Sequence, residues 1–163
     1  MATIHKLLAD GQLIDITVPL DKREFQFRWI YVLPTFVEWK NSELPMLQQG
    51  RLKATETPEE QFDNILFKWI VGKEIRYGTM FKDLSPIGDE VWELKTVDLR
   101  IFGWMFQKDK FVAVFGDYAD NYKPPSRRSS YNVAMAKVVS ARKKLDLDQP
   151  KFITGVYDDI VST

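Results

Sequence analysis

Seven basic residues and no acid fall between positions 121 and 145: Lys123, Arg127, Arg128, Lys137, Arg142, Lys143 and Lys144. Positive charge at this density suits an anionic partner such as an RNA backbone. It equally suits a solvated helix face with ordinary basic enrichment near a helix C-terminus. Just ahead of it lies a polar corner, Asp117-Tyr118-Ala119-Asp120-Asn121-Tyr122-Lys123. Tyr118 or Tyr122 can stack on a base, or help move a proton if its surroundings lower its pKa. Asp117 and Asp120 can instead cap the turn and repel phosphate, and two acids without further ligands are a weak metal site. The single histidine, His5, stands far from this corner, so the easiest acid–base catalyst near neutral pH is missing from it. With no cysteine, thiolate chemistry, disulfides and Cys-based metal sites are excluded. Gly72-Lys73 does not sit in a phosphate-loop pattern, so nothing here is an unmistakable catalytic signature.

The elements that must carry these residues are readable in part. Val91–Thr96, Leu99–Phe106 and Phe111–Gly116 read as successive short strands, with turns at Asp98 and Gln107–Lys110. An antiparallel meander is the simplest pairing, because no room is left for long crossovers. A helix capped by Ser126 and reaching about Leu145 follows, with Tyr131, Met135 and Val138 facing the sheet and the basic residues largely elsewhere. Upstream, Thr57-Pro58 with Glu60 forms a capping box, and Phe62, Ile65, Leu66 and Trp69 make one apolar stripe ending near Val71-Gly72. A second short helix is expected over Tyr77–Leu84, stopped by Ser85-Pro86. Gln12–Val18 and Phe25–Val32 are strand candidates, Pro34 is expected to break the second, and Val37–Leu47 is a short helix or irregular cover. The acidic tail is expected to add a short strand at Phe152–Val156 or to stay mobile.

At 163 residues, 45% of them hydrophobic, the chain fits one domain with a sizeable core rather than a disordered tail protein. No stretch approaches the roughly 18 consecutive apolar residues of a membrane helix, and the N-terminus does not read as a secretion signal. The expectation is a soluble, cytoplasmic α+β domain: a small curved antiparallel sheet flanked by helices.

The ordered series Val91-Trp92-Glu93-Leu94-Lys95, Leu99-Arg100-Ile101-Phe102 and Phe111–Phe115 with Gly116, then Pro124-Pro125 and a helix containing Ala134 and Ala136, resembles the RelE/HigB superfamily. The phage-derived, HigB-like branch is the closest in flavour. The resemblance spans 57–145, leaving residues 1–50 as an N-terminal elaboration, an added cap or a partner-binding region. It implies a RelE-like fold and a toxin of a toxin–antitoxin pair. Such a toxin is typically a metal-independent endoribonuclease, a hydrolase acting on mRNA at the ribosome and neutralised by an antitoxin protein.

By that resemblance, Arg100 and Lys95 match basic positions suited to a phosphate clamp, although each can equally serve a surface salt bridge. Lys123 would neutralise developing charge, where many relatives carry paired lysines, and Tyr118 or Tyr122 would orient RNA or shuttle a proton. Arg127, Arg128, Arg142, Lys143 and Lys144 would extend the RNA track. The departure at the corner keeps a noncatalytic partner-binding or regulatory module as the alternative. A structural or accessory phage protein on the same fold stands behind it.

Overall fold

The computed structural model describes residues 1–84 and 89–163. Its centre is a six-stranded open sheet. In chain order the strands are β1 (Ile14–Ile16), β2 (Trp29–Val32), β3 (Phe81–Asp83), β4 (Trp92–Lys95), β5 (Leu99–Gln107) and β6 (Lys110–Tyr118). They lie side by side as β1-β2-β6-β5-β4-β3. The meander β4-β5-β6 forms as expected, with Lys108 and Asp109 making the hairpin turn; Asp109 adopts φ 62°. The sheet is mixed rather than antiparallel throughout: β2 runs parallel to β6, placing Ile30 beside Phe111 and Val32 beside Ala113. The long excursion between these strands carries the chain over the sheet and back, which parallel pairing requires.

Helices cover both faces, not one. On the first lie α2 (Pro34–Ser42) and α3 (Pro58–Ile70). Phe36, Trp39, Phe62, Ile65, Leu66 and Trp69 pack there against Trp92, Leu94 and Ile101. On the second, α1 (Ile4–Ala9) and α4 (Tyr131–Lys144) bury Leu7, Met135 and Val138 with Phe102, Trp104 and Val112. Trp92 and Trp104 therefore face opposite ways, and both are buried. The α3 boundary is set locally: Thr57 accepts from the Glu60 N–H while Glu60 accepts from the Thr57 N–H at 2.7 Å. At the other end Gly72 takes φ 74°, which glycine adopts at little cost.

Several expected elements differ. Pro34 does end β2, but it also opens α2, because its fixed φ suits the first helical turn. The helix expected at Tyr77–Leu84 is a turn at Tyr77–Met80 followed by β3, which pairs with β4; its expected stop at Ser85-Pro86 lies outside the described residues. The α4 cap is Ser130 rather than Ser126, so Arg127 and Arg128 belong to the preceding loop. The acidic tail forms α5 (Tyr157–Ile160) and is pinned. Ile160 and Val161 are buried, Ser162 donates its N–H and hydroxyl to Asp109, and the Arg28 guanidinium donates to the Ser162 carbonyl at 2.6 Å. Residues 1–50 supply β1, β2 and α2 to the shared sheet and core.

Candidate nucleic-acid interface

The β4–β5 turn is the frame of the site. Gln61 of α3 accepts from both the Thr96 hydroxyl (2.8 Å) and the Asp98 N–H (2.9 Å), and donates to Asp98 Oδ2 at 2.7 Å. Asp98 is buried and also accepts the Gly50 N–H. This ties three segments distant in sequence: the 48–51 loop, α3 and the turn. On the sheet the register aligns Lys95 with Arg100 and Arg100 with Asp117, so the three side chains share one cross-strand row.

Arg100 is not an open surface cation. It is buried, and its Nη1 donates to the carbonyls of Thr96 (2.7 Å) and Leu99 (2.8 Å). Its Nε lies 3.8 Å from Glu93 Oε2, and neither atom has a hydrogen-bond partner. Lys95 Nζ stands 3.8 Å from the other Glu93 oxygen and donates to the Gly78 carbonyl. Burial raises the pKa of Glu93, against the opposing pull of Arg100 and Lys95. Burial also lowers that of Lys95; Glu93 opposes the fall, while Arg100, Lys82 and Lys123 add to it. A lysine with a depressed pKa can exchange a proton nearer neutrality than a free one.

The polar corner is built for structure. Asp117 accepts from the Tyr122 hydroxyl (2.8 Å), the Asn121 amide (2.9 Å), the Ser129 hydroxyl and the Tyr118 N–H. Asp120 accepts the Arg51 N–H, and the Tyr118 hydroxyl donates to the Gln48 carbonyl. Asp117 thus organises the corner locally, whereas Asp120 ties it to the 48–51 loop. The proton-shuttle expectation for the tyrosines meets the opposite shift from the one it needs. Burial, then the bond to Asp117, pushes Tyr122 up, and burial with Asp120 and Asp98 nearby raises Tyr118. Each hydroxyl is held as a donor, with Tyr122 also packed against Phe102 and Tyr131.

Among the basic residues assigned to an RNA track, Arg142 is withdrawn from the surface. It is buried, donates to the carbonyls of Asp89 (2.7 Å) and Glu90, and stacks 4.0 Å from the Phe152 ring centroid. Arg127, Arg128, Lys143 and Lys144 are exposed, the first pair on the loop and the second at the far end of α4. None of the four lines the cleft described next.

Lys95, Arg100 and Lys123 do come together, at an open cleft of about 480 Å³ between α3 and the β4–β5 turn. Two cations not singled out in sequence join them: Lys68 on α3 and Arg76 on the turn before β3. Lys68 was legible as the polar side of the α3 stripe; Arg76 carried no signal, since its place depends on the turn that replaces the expected helix. Among the described residues no group of three or more His, Cys, Asp and Glu side chains converges as a metal site, and no helix is long and apolar enough to cross a membrane. Comparison with protein-family models, curated proteins and solved structures gives no match.

Proposed function

We propose that the chain is an RNA-handling protein of RelE/HigB-like type that grips a phosphodiester in this cleft and cleaves it without a metal. The observation that carries the reading is the convergence of Lys68, Arg76, Lys95, Arg100 and Lys123 from separate elements on one concavity. The order α3, β4, β5, β6, polar corner and α4 supports it further. In the proposed reaction a ribose 2′-hydroxyl passes its proton to neutral Lys95 as its oxygen attacks the adjacent phosphorus, the bond to the 5′-oxygen breaks, and that oxygen takes the proton back from Lys95, leaving a 2′,3′-cyclic phosphate and a 5′-hydroxyl. Lys123 and Arg76 offset the added phosphate charge, and Lys95, its pKa lowered, serves the proton transfer. Arg100 holds the turn that presents them. The RNA is mRNA on the ribosome, and a protein antitoxin covers the cleft.

A noncatalytic RNA- or partner-binding module is the second reading. The Tyr118 and Tyr122 hydroxyls favour it, since each is already committed as a donor, to the Gln48 carbonyl and to Asp117. The deciding experiment follows cellular RNA and translating ribosomes after brief induced expression of wild type and a Lys95→Ala/Lys123→Ala variant confirmed to be folded. Position-specific breaks with wild type alone support the endoribonuclease. Intact RNA from equally abundant wild type that still binds RNA in a salt-sensitive way selects the noncatalytic module. Absence of both removes the RNA reading.

A further inference from the structure

The cleft contains one feature a simple phosphate clamp does not need: a carboxylate. Among the charged residues that line it, Glu56 is the single acid beside five cations. It forms no ion pair among the described residues; instead the Asn64 amide donates to its Oε1 at 2.8 Å, and its Oε2 takes no hydrogen bond. The Glu56 backbone is fixed too, because its carbonyl accepts from Gln61. An exposed carboxylate held by Asn64 among these cations repels a bare phosphate locally, whereas it can accept from a ligand that brings hydrogen-bond donors as well as charge.

Two further observations point to a flat group bound between aliphatic walls. Leu52 and Val97 line the cleft while 69% and 43% exposed, and Ile65 and Met80 lie along it. Beside them Arg100 is buried, its Nε 3.8 Å from Glu93 Oε2 and its Nη1 on the Thr96 and Leu99 carbonyls, so it shapes the wall of the cleft. A volume of about 480 Å³ falls within the roughly 300–1,000 Å³ of small-ligand sites.

Resting on the phosphodiester reading above, the geometry points to a guanine-specific nucleotide subsite. The phosphate sits with Lys123 and Arg76, the base lies between Leu52 and Val97, and Glu56 accepts from the guanine N1–H and N2–H₂. Guanine is the base whose Watson–Crick edge offers two adjacent donors to a carboxylate. Adenine and cytosine each set a ring-nitrogen acceptor next to their amino donor, and uracil flanks its one N–H with two carbonyls. Both arrangements bring lone pairs against Glu56. The preference therefore comes as much from rejecting the other bases as from binding guanine.

The test is equilibrium binding of 3′-GMP, 3′-AMP, 3′-CMP and 3′-UMP to the full chain at low salt, with a generic RNA oligonucleotide alongside. Wild type is expected to bind 3′-GMP at least tenfold more tightly than the others. Glu56→Gln, an exposed change checked for an unaltered fold, is expected to erase that preference and leave the other three within about twofold. Lys123→Ala is expected to weaken all four alike. Equal affinity for the four nucleotides, a guanine preference that survives in Glu56→Gln, or RNA binding without nucleotide binding overturns the guanine subsite and leaves the phosphodiester reading standing. Binding of neither nucleotide nor RNA overturns both.

Discussion

Gln61 and Asp98 bond to each other twice: the Gln61 amide donates to Asp98 Oδ2 at 2.7 Å, and the Asp98 backbone N–H donates back to Gln61 Oε1 at 2.9 Å. Both residues are buried, so the pair cannot be replaced by water without loosening the β4–β5 turn. Gln61→Ala leaves the Asp98 carboxylate and N–H short of partners inside the protein. Losses of about 2–3 kcal/mol follow for buried groups left this way. Urea unfolding checks it; a change below about 0.5 kcal/mol means the turn is held by other contacts.

Gly103 marks the register shift in β5, and a Cβ there would stand 1.9 Å from the Val112 carbonyl oxygen. That neighbour is backbone and cannot rotate away. Gly103→Ala is expected to cost roughly 3 kcal/mol, the top of the usual range for overpacking, or to prevent folding. Soluble yield and thermal unfolding report it, and a variant of wild-type stability refutes the close approach.

Glu93 predicts a pH dependence with a definite sign. Burial raises its pKa above the ordinary 4.5, so the folded chain holds this proton more tightly than the unfolded chain. Its stabilising contribution is present below the ordinary value and lost as pH rises through the raised one. The unfolding free energy of wild type relative to Glu93→Gln should therefore fall across that window. A difference that stays flat, or rises, shows that Arg100 and Lys95 dominate burial.

Arg142 separates packing from RNA contact. Arg142→Ala removes two bonds to carbonyls and the stacking on Phe152, for an expected loss of about 2–3 kcal/mol. Lys143→Ala, exposed one residue away, should stay within about 0.5 kcal/mol. Chemical unfolding of both variants decides; the reverse ranking would place Arg142 at the surface.

Removing residues 157–163 should cost several kcal/mol. The deletion exposes the pocket of Ile160 and Val161, at roughly 1.5–3 kcal/mol for each buried side chain, and strips Arg28 of its Ser162 carbonyl. Calorimetry of the truncated chain measures it. An unchanged melting temperature would mean the tail merely rests on the body.

Features fixed by near neighbours were legible in the sequence. The Thr57–Glu60 box and the Phe62–Trp69 stripe need only one helix, and the β4-β5-β6 meander needs only alternation and short turns. Features fixed by distant partners were not. Nothing local in Trp29–Val32 reveals that it lies parallel to β6, and nothing in Tyr77–Leu84 reveals that β4 recruits its end as a strand. The site divides the same way. Lys95, Arg100 and Lys123 meet because three strands and a corner align, whereas Arg142 read as one more exposed charge until Phe152, ten residues on, folded back over it.

The parallel seating of β2 against β6 governs how the chain behaves while it is being made. Trp29–Val32 leaves the ribosome some eighty residues before Lys110–Tyr118, the strand it needs as a neighbour. During that interval β2 has only β1 as a neighbour, and Ile30, Val32 and Phe36, all buried in the finished protein, lack the rest of the sheet. Long-range pairing of this kind is slow to form and exposes sticky surface meanwhile. The β2–β6 seam therefore cannot form before Lys110–Tyr118 has been made, and it joins the early part of the chain to the late hairpin through the middle of the sheet.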